Sequence, residues 1–184
     1  LGVLDARTIL AHCVWLDDGE LDLLAASGAT VAHNPISNAK LASGVAPVEA
    51  MRTRGIPVGL GTDSMLSNNA LNLFQEMKFA VLLQRAHRLD GHALSARDAL
   101  AMATREGAQV LGWDADIGSL EAGKEADLVV LDLDHPLGLT PERVLSDLVF
   151  AAGPQHVQAV LVHGETIYED GRFTRIDESA VRAR

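Results

Sequence analysis

The sequence predicts an α/β protein: parallel strand–helix–strand units first, then a separate β module. Three observations point there. Short apolar, β-leaning runs alternate with helix-like stretches from Thr8 to Asp63, a rhythm that builds parallel sheets. The three apolar runs end in His12, His33 and Asp63. After Gly118 the helical spacing gives way to strand-like segments separated by turn residues.

Thr8–Cys13, TILAHC, is the first apolar run. Asp17-Asp18-Gly19-Glu20 then offers a helix start ahead of Leu21, Leu23 and Leu24, and Gly28 ends that helix. Thr30–Ala32 is a second strand, closed by His33-Asn34-Pro35, and a polar loop is expected through Gly44. A helix is expected from about Val45 to Arg54, ended by Gly55. In Ile56–Asn69, IPVGLGTDSMLSNN, Pro57 excludes a helix centre while Val58 and Leu60 favour a buried strand that stops at Asp63. Right-handed crossovers bring all three strand ends to one side of the sheet. Leu71–Leu89 carries Leu71, Phe74, Met77, Val81 and Leu82 at helical spacing. Ser95–Leu111 opens on a Ser-x-x-Asp start and reads as one helix. Residues 119–134 read as a turn and a strand, and His156–Phe173 as two strands around His163-Gly164. No role is evident for the tail from Thr174, and no internal repeat is present.

Composition narrows the function classes. The chain has 184 residues, 48% hydrophobic and 4% aromatic, which is aliphatic and in keeping with a soluble α/β protein. No window approaches the roughly 18 uninterrupted apolar residues of a membrane helix, so no membrane partner is expected. Fifteen Lys and Arg against 25 Asp and Glu leave a formal charge of -10, which repels a phosphate backbone, so no nucleic-acid partner is expected either. The single cysteine, Cys13, cannot form an internal disulfide, which suits a cytoplasmic setting. Leu1 stands where a methionine would, and an apolar run follows at once, so the chain is expected to begin inside a larger protein.

Histidine and aspartate at neighbouring strand ends suit a divalent transition metal, zinc or iron(II), with a position left for water. A lone Asp63 could equally cap a turn or the next helix, and a lone histidine at a strand end is more often structural. No H-x-H, no H-E-x-x-H and no second cysteine is present. Alternation turns Cys13 away from His12, as a small buried hydrophobe. Trp15 either lines the pocket mouth or packs on the following helix. His87, His92, His135, His156 and His163 are expected to lie outside the site.

Three motifs then occur in order: A-H-C at Ala11–Cys13, H-N-P-x-S-N-x-K-L-x-S-G from His33 to Gly44, and G-T-D-S-x-x-S-N-N from Gly61 to Asn69. In that combination and spacing the sequence resembles the later half of the metal-dependent amidohydrolases, in the branch of the S-adenosylhomocysteine and methylthioadenosine deaminases and the triazine hydrolases. GSLEAGKEADLVVLD and VLVHGETIYEDGRF resemble that family's return to its small β-sandwich and its closing hairpin. The resemblance implies that residues 1–116 are the C-terminal part of a TIM-type (β/α)8 barrel, 117–176 part of a composite β-sandwich and 177–184 a tail. Thr8–Cys13, Thr30–His33 and Val58–Thr62 would be barrel strands six to eight.

It further implies that Asp63 binds zinc, or iron(II), and as general base takes a proton from the metal's water, whose pKa the metal lowers toward about 7. His12 would lie beside that water and polarise it. His33, Asn34, Ser64, Ser67, Asn68 and Trp15 would contact substrate, with Ser37, Asn38 and Lys40 shaping the loop. The implied activity is hydrolytic deamination of an aminated purine such as an adenosine derivative. Triazine hydrolysis or guanine-type deamination is the alternative, and a non-catalytic remnant a third. The full-length protein is expected to be a homo-oligomer. The family's H-x-H and its fifth-strand histidine and glutamate have no counterpart in this sequence. A fragment is therefore expected, inactive and poorly stable alone, since three strands cannot close a barrel.

Overall fold

The computed structural model describes residues 2–133 and 140–183. Its first half is a three-stranded parallel sheet in the order β1 (Ile9–Ala11), β2 (Thr30–His33), β3 (Val58–Leu60). Ile9 pairs with Thr30, and Val31 with Val58, so the strands run in step. Their carboxyl ends open on one side, as right-handed crossovers require.

Between β1 and β2 runs α1 (Asp18–Ser27), held by a reciprocal capping box between Asp17 and Glu20 and closed by Gly28 in the left-handed region. The loop expected after β2 begins instead with a short helix, α2 (Pro35–Lys40), because Pro35 supplies the preset φ of a first helical turn. The helix expected over 45–54 shrinks to α3 (Val48–Thr53), since Pro47 stands at its N-cap. After β3, Ser64 caps a helix missed in the sequence, α4 (Met65–Asn68), and Asn72 caps α5 (Leu73–Arg88).

The single helix expected over 95–111 is two, α6 (Ala96–Ala103) and α7 (Arg105–Leu111), broken at Thr104 with φ -127° and ψ -100°. The break lets α6 pack on α5 while α7 lies along β2 and β3. There a Cβ on Gly59 would sit 3.0 Å from the Gly107 backbone, so glycine at both positions sets how closely helix and sheet approach. The core fills the space between sheet and helices with Val31, Met51, Val58, Val81, Ala99 and Met102.

The β module is an antiparallel sheet ordered β4 (Leu128–Leu131), β5 (Val157–Val162), β6 (Glu165–Glu169), β7 (Arg172–Phe173). His163 and Gly164, both at positive φ, make the tight turn between β5 and β6. A helix not expected from the sequence, α8 (Val144–Phe150), precedes β5 and packs on α5 and α6 through the fully buried Val149. A last helix, α9 (Glu178–Arg182), occupies the tail. The expectations for Leu1, for His135 and Pro136, and for the end of the strand at Asp134 fall outside the described residues. No helix among those described is long and apolar enough to cross a membrane.

Candidate active site

The site forms where β1, β2 and β3 end, because parallel pairing brings their last residues together. His12 (φ 68°) and Asp63 (φ 56°) both stand in the left-handed region, which costs a non-glycine residue on the order of 1 kcal/mol and is typical of functional corners. The turn at each strand end swings the side chain off the sheet toward the other. The result is His12 Nε2 at 3.9 Å from Asp63 Oδ2.

Each of the two is oriented by a second residue. His12 Nδ1 lies 2.8 Å from Asn38 Oδ1. The Asn38 amide thereby fixes the ring and directs Nε2 toward Asp63. Asp63 does not cap the next helix, for that role falls to Ser64. Its Oδ2 instead accepts hydroxyl hydrogen bonds from Ser37 at 2.5 Å and Ser67 at 2.7 Å. These bonds, Ser37's first, hold the Asp63 carboxyl below the usual carboxylate range. An ionised carboxylate beside an imidazole can accept a proton or ligate a cation.

The other predicted residues divide by exposure. Trp15 is 83% exposed and lies on Gly44 at the rim of a pocket lined by His12, Val14, Asn38, Leu41 and Asp63, rather than on α1. Ser64 is exposed. His33, Asn34, Ser67 and Asn68 are buried. Asn34 turns its amide to the Ala32 carbonyl, and its Oδ1 would be 2.4 Å from a Cβ on Gly61, so a side chain there would displace the Asn34 amide. Burial pushes His33 down to about 4, with His12 adding a smaller effect, and its buried Nδ1 has no partner among the described residues. His33 is therefore neutral. Cys13 is half-buried against the core, and burial raises its thiol.

Sequence reasoning missed Glu76. It is fully buried on the first turns of α5 and accepts hydrogen bonds from the Ile36 amide at 3.2 Å and from Asn68 Nδ2. Its signal was a carboxylate in the same buried row as Ala80 and Gln84, four and eight residues on. Lys40 adds a tie on the surface, from α2 to the Leu66 carbonyl and Asn69. The remaining described histidines serve elsewhere: His156 Nδ1 accepts the Gly153 amide and His163 pairs with Glu125. A second pocket beside His92 is lined by Glu49, Arg52 and Asp98. Its charges are already paired, Arg52 with Asp98 and Glu106 and Glu49 with Arg88.

Among the described residues no group of three or more His, Cys, Asp or Glu could hold a metal ion. Asp63 and His12 fit a zinc site as two of its donors or close neighbours, since a carboxylate and an imidazole lone pair are zinc's ordinary partners. A complete site needs further donors.

The amidohydrolase family model matches residues 1–167. A 5-methylthioadenosine/S-adenosylhomocysteine deaminase of Nitratidesulfovibrio vulgaris is 48% identical over 184 residues, covering 100% of this chain and 42% of the relative. A 5'-deoxyadenosine deaminase of Methanosarcina mazei is 45% identical, covering 98% of this chain and 41% of its own length. The chain thus spans about two fifths of the curated relatives it matches. Among solved structures, an adenosine deaminase from Xanthomonas campestris with bound zinc aligns at TM-score 0.92 and 39% identity, over 99% of this chain and 42% of that one. An atrazine chlorohydrolase from Arthrobacter aurescens complexed with zinc aligns at 0.90 and 31%, over 99% and 40%.

Proposed function

The chain belongs to the amidohydrolase family, and from that premise we propose that it carries the general-base half of a hydrolytic deaminase acting on an adenosine derivative. One observation carries the reading: Asp63, held by two serine hydroxyls, faces Nε2 of His12 at the carboxyl ends of parallel strands. In this reading residues 1–116 form barrel strands six to eight with their helices, 117–176 part of a β-sandwich, and 177–184 a tail. The alignment of 99% of this chain with 42% of a solved adenosine deaminase at TM-score 0.92 supports it.

Zinc, when bound, acidifies a water toward neutrality and polarises the atom it attacks. The donors beyond Asp63 would come from parts of the protein outside these 184 residues. Asp63 receives the proton of the attacking water and passes it to the departing amine. Both serine hydroxyls converge on Oδ2, and the Ser64 backbone N–H adds a third hydrogen bond to the carboxylate. His12, fixed by Asn38 through Nδ1, directs Nε2 to the side of Asp63 on which water adds to the ring carbon. Val14, Trp15 and Leu41 give the pocket an apolar wall suited to the flat face of a purine.

Triazine hydrolysis is the competing reading, favoured only by the likeness to the atrazine chlorohydrolase at 31% identity. The deaminases named above are 48% and 45% identical. The test is zinc analysis and ammonia release by the full-length protein on 5-methylthioadenosine, S-adenosylhomocysteine, guanine and a chlorotriazine, for wild type and Asp63→Asn. Turnover of the adenosine derivatives, abolished with weakened zinc binding in Asp63→Asn, is expected, because an amide is neither anion nor proton acceptor at neutral pH. Near-normal activity and full zinc content in the variant would overturn the reading.

A further inference from the structure

Glu76 is a fully buried carboxylate that the mechanism above does not use. It sits on α5, facing α2 and α4, which the chain joins by way of α3 and β3. One oxygen accepts the Ile36 amide, the first N–H of α2 after Pro35, at a helix start whose Asn34 makes no side-chain cap. The other accepts Asn68 Nδ2, which also donates to the Thr62 carbonyl at 2.6 Å. The two anchored residues each adjoin a hydroxyl on Asp63: Ile36 precedes Ser37, and Asn68 follows Ser67.

We infer that Glu76 is a positioning residue, a clamp that holds α2 and α4 at the separation at which Ser37 and Ser67 both reach Asp63 Oδ2. The chemistry demands a carboxylate. Both partners are N–H donors, so each oxygen must accept, and a glutamine would turn an NH2 group toward one of them. Asn68 cannot relieve this by flipping its amide, for it would then lose its bond to the Thr62 carbonyl. An ordinary structural role, a carboxylate favoured near a helix N-terminus, would explain a loss of stability but not a selective loss at Asp63.

The inference rests on the reading of Asp63 as ligand and base. The experiment compares four forms of the zinc-loaded full-length protein: wild type, Glu76→Gln, Asp63→Asn and Gln84→Met. Gln84 lies two turns along α5, also buried, with its side-chain amide donating to the Ala46 carbonyl, and reports the cost of disturbing the helix alone. The readouts are melting temperature, kcat, KM and the rate of zinc release to a chelator. Loss of a residue that orients a ligand typically costs ten- to a hundredfold in metal affinity or activity. For Glu76→Gln the expected result is about that loss in kcat, KM within about twofold, and zinc release faster by about tenfold. Gln84→Met should melt earlier with kcat and zinc release unchanged.

Adding Glu76→Gln to a Ser37→Ala, Ser67→Ala background should cost less than about threefold more, because the clamp acts through those hydroxyls. If Glu76→Gln is too unstable to load, Glu76→Asp keeps the charge but falls one methylene short of spanning both partners, and the same loss is expected. A Glu76 variant that melts early yet matches Gln84→Met in kcat and zinc release overturns the clamp, as does a full loss on the serine-free background. If Asp63→Asn itself turns over and holds zinc normally, the reading of Asp63 has failed, a different outcome.

Discussion

Asp63 and His12 are residues whose backbones bend into an unfavourable region so that their side chains can meet. Their neighbour His33 responds to the same crowding through its proton. Its folded pKa, about 4, lies below the ordinary 6.5 because the ring is buried, with His12 adding to the effect. The unfolded chain therefore binds a proton that the folded one refuses, and stability falls as pH drops from about 6.5 to about 4. A shift of that size is worth on the order of 3 kcal/mol at its low-pH limit. Denaturant unfolding of full-length wild type and His33→Asn over that window checks it: the variant should lose this part of the acid sensitivity. An equally steep acid dependence in both would remove His33 as its source.

Among the elements, the contact of β3 with α7 is closely constrained. Gly59 meets Gly107 at 3.0 Å and Val110 Cγ2 at 3.3 Å for an added Cβ. Alanine at 59 would reduce the freedom of the unfolded chain, worth about 0.4–1 kcal/mol in its favour. Overpacking typically costs about 1–3 kcal/mol. The second effect wins, so Gly59→Ala should lower the melting temperature of the full-length protein by a few degrees, and Gly59→Val by more. A melting temperature that holds or rises in Gly59→Ala would mean that α7 yields more readily than a close-packed interior should.

For the whole molecule, the parallel sheet has only three strands among the described residues, and β1 at its edge leaves Ile9 45% exposed. Parallel sheets are normally covered on both faces and closed or flanked at their edges. Residues 1–184 alone should therefore self-associate and bind zinc no better than about micromolar, since two donors form no closed site. Co-expression with a segment supplying the remaining strands and ligands should yield stoichiometric zinc. Light scattering and metal analysis of the lone chain and the pair decide it. Tight, equimolar zinc in a monodisperse lone chain would place the metal site somewhere other than Asp63.

What the sequence determined by itself was local or periodic: three apolar runs spaced by helices, their ends at His12, His33 and Asp63, and the β module with its turn at His163-Gly164. Such features follow from side-chain period and turn chemistry within a few residues, and the motifs from His33 to Asn69 carried the family as well. Tertiary structure alone decided which groups touch. Ser37 and Ser67 reach one oxygen of Asp63 from opposite directions along the chain, and Glu76 ties their helices together from a third element. The break at Thr104 likewise answers to packing, α6 on α5 and α7 along β2 and β3. These contacts join residues far apart in sequence, and their geometry depends on how loops converge once the core has closed, which no pattern within one segment encodes.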